Sequence, residues 1–200
     1  MAAEPIARAV EVVVGDEPGR WAALGFTVDA GAIAVGGVRI VPAGGPPGLR
    51  ELRLSGLRAE RPDGLALTSA PQAESAAAAH PIGAAAVDHI VALTDDAART
   101  SAALEAAGLP LRRVRRPPES DAVQAFHLAG TLIVEVVETA GPAPRLWGLV
   151  LVVADLDAAA ALLGDRLAAS KDAVQRGRRI ATVRRTAGLS LPLALMTPRS

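Results

Sequence analysis

Cysteine is absent from the 200-residue chain, which removes disulfide frameworks, thiolate metal sites and cysteine nucleophiles together. Aromatic residues are scarce, with two Phe, two Trp and no Tyr, too few for a stacking platform of the kind that binds single-stranded nucleic acid. Neither sign of charge dominates. The 21 basic residues equal the 21 acidic ones, so bulk charge implies no nucleic-acid or acidic-surface partner. Among those basic residues only Lys171 is a lysine, and its place past the last helix reads as a solvated side chain rather than a Schiff-base group. The arginine clusters at 112–116 and 176–185 lack interleaved aromatics and read as surface.

Long apolar runs are also missing. The longest, Leu146 to Ala154, falls far short of the roughly 20 residues that span a bilayer, so no membrane partner is expected. Glu4 precedes any basic n-region, and a secretory leader is not expected; the cytoplasm is the default location. The sequence contains no GxGxxG, GxSxG, HExxH or Walker lysine loop, which removes support for Rossmann hydride transfer, elbow-serine hydrolysis, zinc proteolysis and P-loop phosphoryl transfer.

What is present is a repeat. Val87 to Leu93 is a β-rich run; Asp95 or a neighbour caps an Ala-rich helix that stops at Gly108. Leu109 to Arg116, Val123 to Leu128 and Thr131 to Glu138 follow as strands, the last two joined by a tight Ala129-Gly130 turn. The order recurs with Leu146 to Val153 as strand, Asp155 to about Leu167 as helix, and Arg178 to Arg185 and Leu189 to Met196 as a hairpin turning at Ala187-Gly188. His89 lies seven residues before Asp96 and Gly148 seven before Asp155, and from these to the hairpin glycines the distances are 41 and 40 residues. Order, length and turn residue agree, so two βαβββ units are expected, and an α+β fold with them.

A third, clipped copy opens the chain with Ala9 to Val14, a helix stub at Pro18 to Leu24 and a hairpin turning at Gly36-Gly37. Leu49 to Leu57 and the turn Pro62-Asp63-Gly64 fit a fourth unit without its helix. Composition shifts to Ala, Pro, Gln, Glu and Ser between Ser69 and Ala86. The expected organisation is therefore a degenerate module over 1–72, a linker over 73–85 and a paired-module domain over 86–198.

Paired βαβββ units resemble the vicinal oxygen chelate superfamily, which includes glyoxalase I, bleomycin-resistance proteins and extradiol dioxygenases. The resemblance is carried by 87–91 (VDHIV), 130–138 (GTLIVEVVE), 146–157 (LWGLVLVVADLD) and 177–182 (GRRIAT), and is nearest to uncharacterised glyoxalase-like members. It implies a curved mixed sheet whose concave face holds a ligand, with metal ligands on the first and fourth strands of each unit. In the first unit those places fall on His89 and Glu135, which suit Zn, Fe, Ni or Mn. In the second they fall on Gly148 and Leu193, neither of which can coordinate, and in the N-terminal copy on Val10 and Pro42.

Strand alternation supplies the rest of the expected pocket. A two-residue turn at Ala129-Gly130 pairs Gln124 with Glu135 and Phe126 with Ile133, and turns His127 away from Glu135. A turn at Ala187-Gly188 pairs Thr182 with Leu193 and Arg184 with Leu191, so Arg184 would hold a ligand's carboxylate or phosphate beside an apolar wall. Trp147 is expected in the core and His80, in the linker, in solvent. Two functions fit: a binder of a small, anionic organic molecule without a complete metal site, or a divalent-metal-dependent lyase, isomerase or dioxygenase using His89 and Glu135. The N-terminal copy could pack on the pair or complete a second site in a homodimer.

Overall fold

A computed structural model describes residues 6–73, 78–117, 122–141 and 144–199. The N-terminal segment forms β1 (Arg8–Val14), α1 (Pro18–Ala22), β2 (Ile33–Val35), β3 (Val38–Pro42), β4 (Leu49–Ser55) and β5 (Leu67–Ser69). Gly36 and Gly37 turn the β2–β3 hairpin with φ of 57° and 84°, a region that a β-carbon disfavours. These strands make one sheet in the order β2-β3-β1-β4-β5. β4 and β5 run parallel, joined through a 3-10 turn at Pro62–Gly64 where the other units carry a helix.

The remaining strands make an eight-stranded sheet. It contains module 1, with β6 (Ala84–Thr94), α2 (Ala97–Ala106), β7 (Leu111–Arg115), β8 (Gln124–Ala129) and β9 (Leu132–Glu138). Module 2 comprises β10 (Arg145–Val153), α3 (Leu156–Leu163), β11 (Lys171–Asp172), β12 (Arg179–Thr182) and β13 (Leu193–Met196). The order β11-β12-β13-β10-β6-β9-β8-β7 sets the two modules side by side, with the first strand of each at the centre. In each module the first strand pairs parallel with the last, and the others return antiparallel. Asp96 and Asp155 cap the two helices, the first accepting from Arg99 N and the second from Asp157 N and Ala158 N. The short β11 has no counterpart in the expected pattern, and α3 ends at Leu163 because Gly164 takes φ +55° and a 3-10 turn follows.

By compactness the chain divides into two units that cut across the two sheets. One comprises Met1–Glu11, Glu51–Ala73 and His89–Trp147; the other comprises Val12–Arg50, Glu74–Asp88 and Gly148–Ser200. The first has a core of Leu52, Leu54, Ile90, Leu104, Leu132 and Val134, all fully buried. Within it, the 3-10 turn sits on α2: the Asp63 carboxylate accepts from Arg99 Nε at 2.8 Å and Thr100 Oγ1 at 2.5 Å. Burial pushes the Asp63 carboxyl up, but those hydrogen bonds outweigh it and hold it below the ordinary carboxylate range.

The second unit has its core around Trp21, Ile33, Ile40, Ile82 and Leu151. The tryptophan in the core is thus Trp21, edge-on to Phe26 with centroids 5.0 Å apart, whereas Trp147 is 45% exposed. His80 is likewise not solvated. It is buried, its Nδ1 accepts from Thr27 N at 3.0 Å and its Nε2 donates to the Ala34 carbonyl at 2.9 Å. Residues 78–83 of the expected linker are therefore tied down, and 74–77 lie outside the described residues. An ion pair is also buried here, with Arg178 Nη1 2.7 Å from Asp88 Oδ1 and Arg178 Nε donating to the Thr197 carbonyl.

Candidate binding face

The two faces of module 1 differ in kind. His127 on β8 hydrogen bonds with Ser101 of α2 and with the Leu109 carbonyl, both at 3.0 Å, so the helix covers its face of the sheet. Val134 and Val136 share that face and are fully buried with Ile90 and Ala92. Burial pushes the His127 imidazole below its ordinary pKa. The N-terminus of α2 is satisfied by Asp96 and by the Glu138 carboxylate, which accepts from Ala97 N. His127 and the helix terminus thus have their partners within the module.

The opposite, open face carries His89, Val91 and Leu93 from β6, Ile133, Glu135 and Val137 from β9, and Gln124 and Phe126 from β8. The observed turn is Gly130-Thr131, so Phe126 pairs with Glu135 and Gln124 with Val137. Each partner is two residues from the expected one. Side chains alternate with period two, so the face is unchanged. His89 Nε2 lies 3.4 Å from Glu135 Oε2. At the outer edge Arg113 stands over the Phe126 ring, 4.9 Å from its centroid, and Arg115 donates to Gln124 Oε1 at 3.2 Å. Sequence reasoning missed both arginines, having read 112–116 as one basic cluster. The available signal was their i, i+2 spacing on a strand. All of these residues fall in one compact unit.

Module 2 departs from expectation by a single residue. Thr182 pairs with Ala194 rather than Leu193, and Ala181 with Leu195. A one-residue slip flips the strand. Arg179 pairs with Asp157 at the start of α3, so Arg179, Ala181, Leu193 and Leu195 face the helix, and Leu193 is a buried core residue. Leu191 is buried as well. Arg184 lies past the end of β12, its backbone N–H bonded to the Arg166 carbonyl, so the expected Arg184–Leu191 pair does not form.

Tertiary docking explains the slip. Residues 185–190 make a 3-10 turn and a loop instead of a tight hairpin. That loop is held by Arg20 donating to the Gly188 carbonyl, by Asp16 accepting from Ser190 N at 2.7 Å, and by Ser190 Oγ accepting from Gly48 N at 2.8 Å. The open face of module 2 then presents Gly148, Val150, Val152, Ile180, Met196, Ala194 and Thr182.

The residues present test the metal that the fold implies. Two ligands at about 2.1 Å in a tetrahedral site stand about 3.4 Å apart, and the His89–Glu135 separation is 3.4 Å. The pair has the right spacing, but two donors do not make a set. Val150 lies beside Ala194 as Val91 lies beside Glu135, so the counterpart of Glu135 is Ala194 rather than Leu193, and it cannot coordinate either. Among the described residues no three His, Asp or Glu side chains gather at one point.

No family profile matches the chain, and no curated protein matches it. Solved structures do. Methylmalonyl-CoA epimerase from Mycobacterium tuberculosis is similar with a TM-score of 0.50 at 15% identity, covering 59% of this chain and 91% of that one. A single-site variant of methylmalonyl-CoA epimerase from Streptomyces coelicolor, in complex with 2-nitronate-propionyl-CoA, has a TM-score of 0.48 at 19% identity over 57% and 97%. A hypothetical protein from Bacillus halodurans has a TM-score of 0.49 at 12% identity over 57% and 94%. The fold is that of paired βαβββ modules of the vicinal oxygen chelate type.

Proposed function

We propose that this protein binds a small organic anion on the open face of module 1. The observation that carries the reading is the joining, on one side of four adjacent strands, of the His89–Glu135 pair, Phe126, Gln124 and the two arginines 113 and 115. Small-molecule sites have this make-up: apolar surface with a few convergent polar groups. An arginine offers a planar fork to a carboxylate, Phe126 and the valines cover a carbon skeleton, and Gln124 with Glu135 bonds a hydroxyl or amine. The epimerases of like fold are named for methylmalonyl-CoA, an organic acid on CoA. What carries over is small-molecule binding in general, and the place and chemistry of the ligand are read from these residues alone. Calorimetry against a panel of small acids tests the reading: binding that weakens in Glu135→Gln and Phe126→Leu supports it, and no binding at millimolar acid refutes it.

A second reading is favoured by the 3.4 Å separation of His89 Nε2 and Glu135 Oε2. A divalent ion held by these two residues and by solvent or substrate would make the protein a metal-dependent lyase, isomerase or dioxygenase. Dialysis against Zn, Ni, Mn and Fe separates the readings. About one ion per chain, lost in His89→Ala and in Glu135→Ala, would favour the enzyme.

A further inference from the structure

Resting on that reading, we propose that the edge strand β7 is the selector of the ligand: Arg113 and Arg115 hold its carboxylate, and their distance from Glu135 restricts it to short ω-hydroxy or ω-amino acids. A β-bulge makes this arrangement. β7 pairs Leu111 with His127, but Arg113 with Phe126, Val114 with Ala125 and Arg115 with Gln124, so the register shifts at Arg112. Leu111 is thereby set beside a residue of the helix face, while Arg113 and Arg115 are set beside residues of the open face. Had the strand run on in the register of Leu111, Arg113 would stand opposite Ala125, and both arginines would point to the helix side. Bulges are enriched beside functional sites because one extra residue re-aims the side chains that follow it. Here the extra residue brings two guanidinium groups onto the face that holds the His89–Glu135 pair.

The spacing limits the ligand. Neighbouring strands stand about 4.8 Å apart, so Glu135 lies roughly 10 Å in from β7 at the backbone. Arg113 leans inward over Phe126, which shortens the gap between cation and carboxylate. A chain reaching from one to the other spans roughly 5–10 Å, as four to six extended carbons do. Phe126, directly between Arg113 and Glu135 in the cross-strand row, gives that chain its apolar floor.

Calorimetry with ω-hydroxy acids of two, four, six, eight and ten carbons, each beside its matching uncharged diol, tests this. The wild-type protein should bind the four- and six-carbon acids best and the diols about tenfold more weakly or worse. Arg113→Ala and Arg115→Ala should each lose about tenfold toward the acids and leave the diols unchanged, while Glu135→Gln should erase the length optimum. Acids that bind without a length optimum, or equally well to Arg113→Ala and Arg115→Ala, would overturn this inference and leave a small-acid site supported by the Glu135 and Phe126 variants standing. Failure of every acid to bind the wild type would overturn both.

Discussion

Modules 1 and 2 share strand order, parallel closure and capped helix, yet their open faces have opposite chemistry. Module 1 presents an imidazole, a carboxylate, an amide and two guanidiniums; at the matching places module 2 presents glycine, alanine, one threonine and aliphatic side chains. Packing does not impose the glycine. A β-carbon at Gly148 would meet nothing closer than the Pro192 carbonyl oxygen at 3.4 Å, an ordinary contact. The buried Arg178 of module 2 instead serves structure, paired with Asp88 of β6. Two modules of one strand order thus carry different chemistry on their open faces, polar in module 1 and largely apolar in module 2.

The largest expected effect tests the structural half of that contrast. Arg178→Ala leaves Asp88 buried without its cation and should cost about 3–5 kcal/mol in urea unfolding, whereas Arg178→Met with Asp88→Leu should recover most of it. A single variant that loses under about 1 kcal/mol would remove the pair's structural role. Next is Leu193→Ala. As a core residue it should cost about 2–5 kcal/mol and leave small-acid affinity unaltered; unchanged stability with lost binding would restore it to a pocket wall. On the other side of the comparison, Glu135→Gln should weaken a bound acid about tenfold, near 1.4 kcal/mol, with little change in unfolding.

A smaller effect separates the two faces of module 1 itself. Burial lowers the His127 pKa in the folded state below the unfolded value of about 6.5, so the unfolded chain takes up the proton first and stability falls with acid. The contribution is complete above about pH 6.5 and is lost below it, at no more than about 1.4 kcal/mol per pH unit. His127→Gln should flatten that slope in pH-dependent melts, and an unaltered slope would show that His127 does not supply it. The smallest effect is expected at Arg184→Ala, with under about 0.5 kcal/mol in stability and no change in acid binding. A tenfold loss of affinity there would return the ligand to module 2.

How far the sequence disclosed these features follows from the period of a strand. Glycine spacing and helix caps located both modules, because Asp96, Asp155, Gly130 and Gly188 act through local backbone chemistry. Placing His89, Glu135, Phe126 and Gln124 on one face survived an error in the turn, since the register moved by two residues. In module 2 it moved by one, and Leu193 passed from pocket wall to core. That shift was not legible, because Asp16, Arg20 and Gly48 hold the loop from more than 140 residues away in the chain. Arg113 and Arg115 were hidden for a related reason, as a bulge decides their face and no turn residue marks it. His80 sits in a stretch with the composition of a linker, and only its bonds to Thr27 and Ala34 show otherwise.

The central claim is that the open face of module 1, and not that of module 2, receives the ligand. A crystal structure of the protein with 5-hydroxypentanoate measures this most directly. The account predicts its carboxylate within about 3.2 Å of a guanidinium nitrogen of Arg113 or Arg115, its chain over Phe126 and its hydroxyl at Glu135. Density for the acid beside Thr182, Arg184 or Met196, with the module 1 face bare, would contradict it.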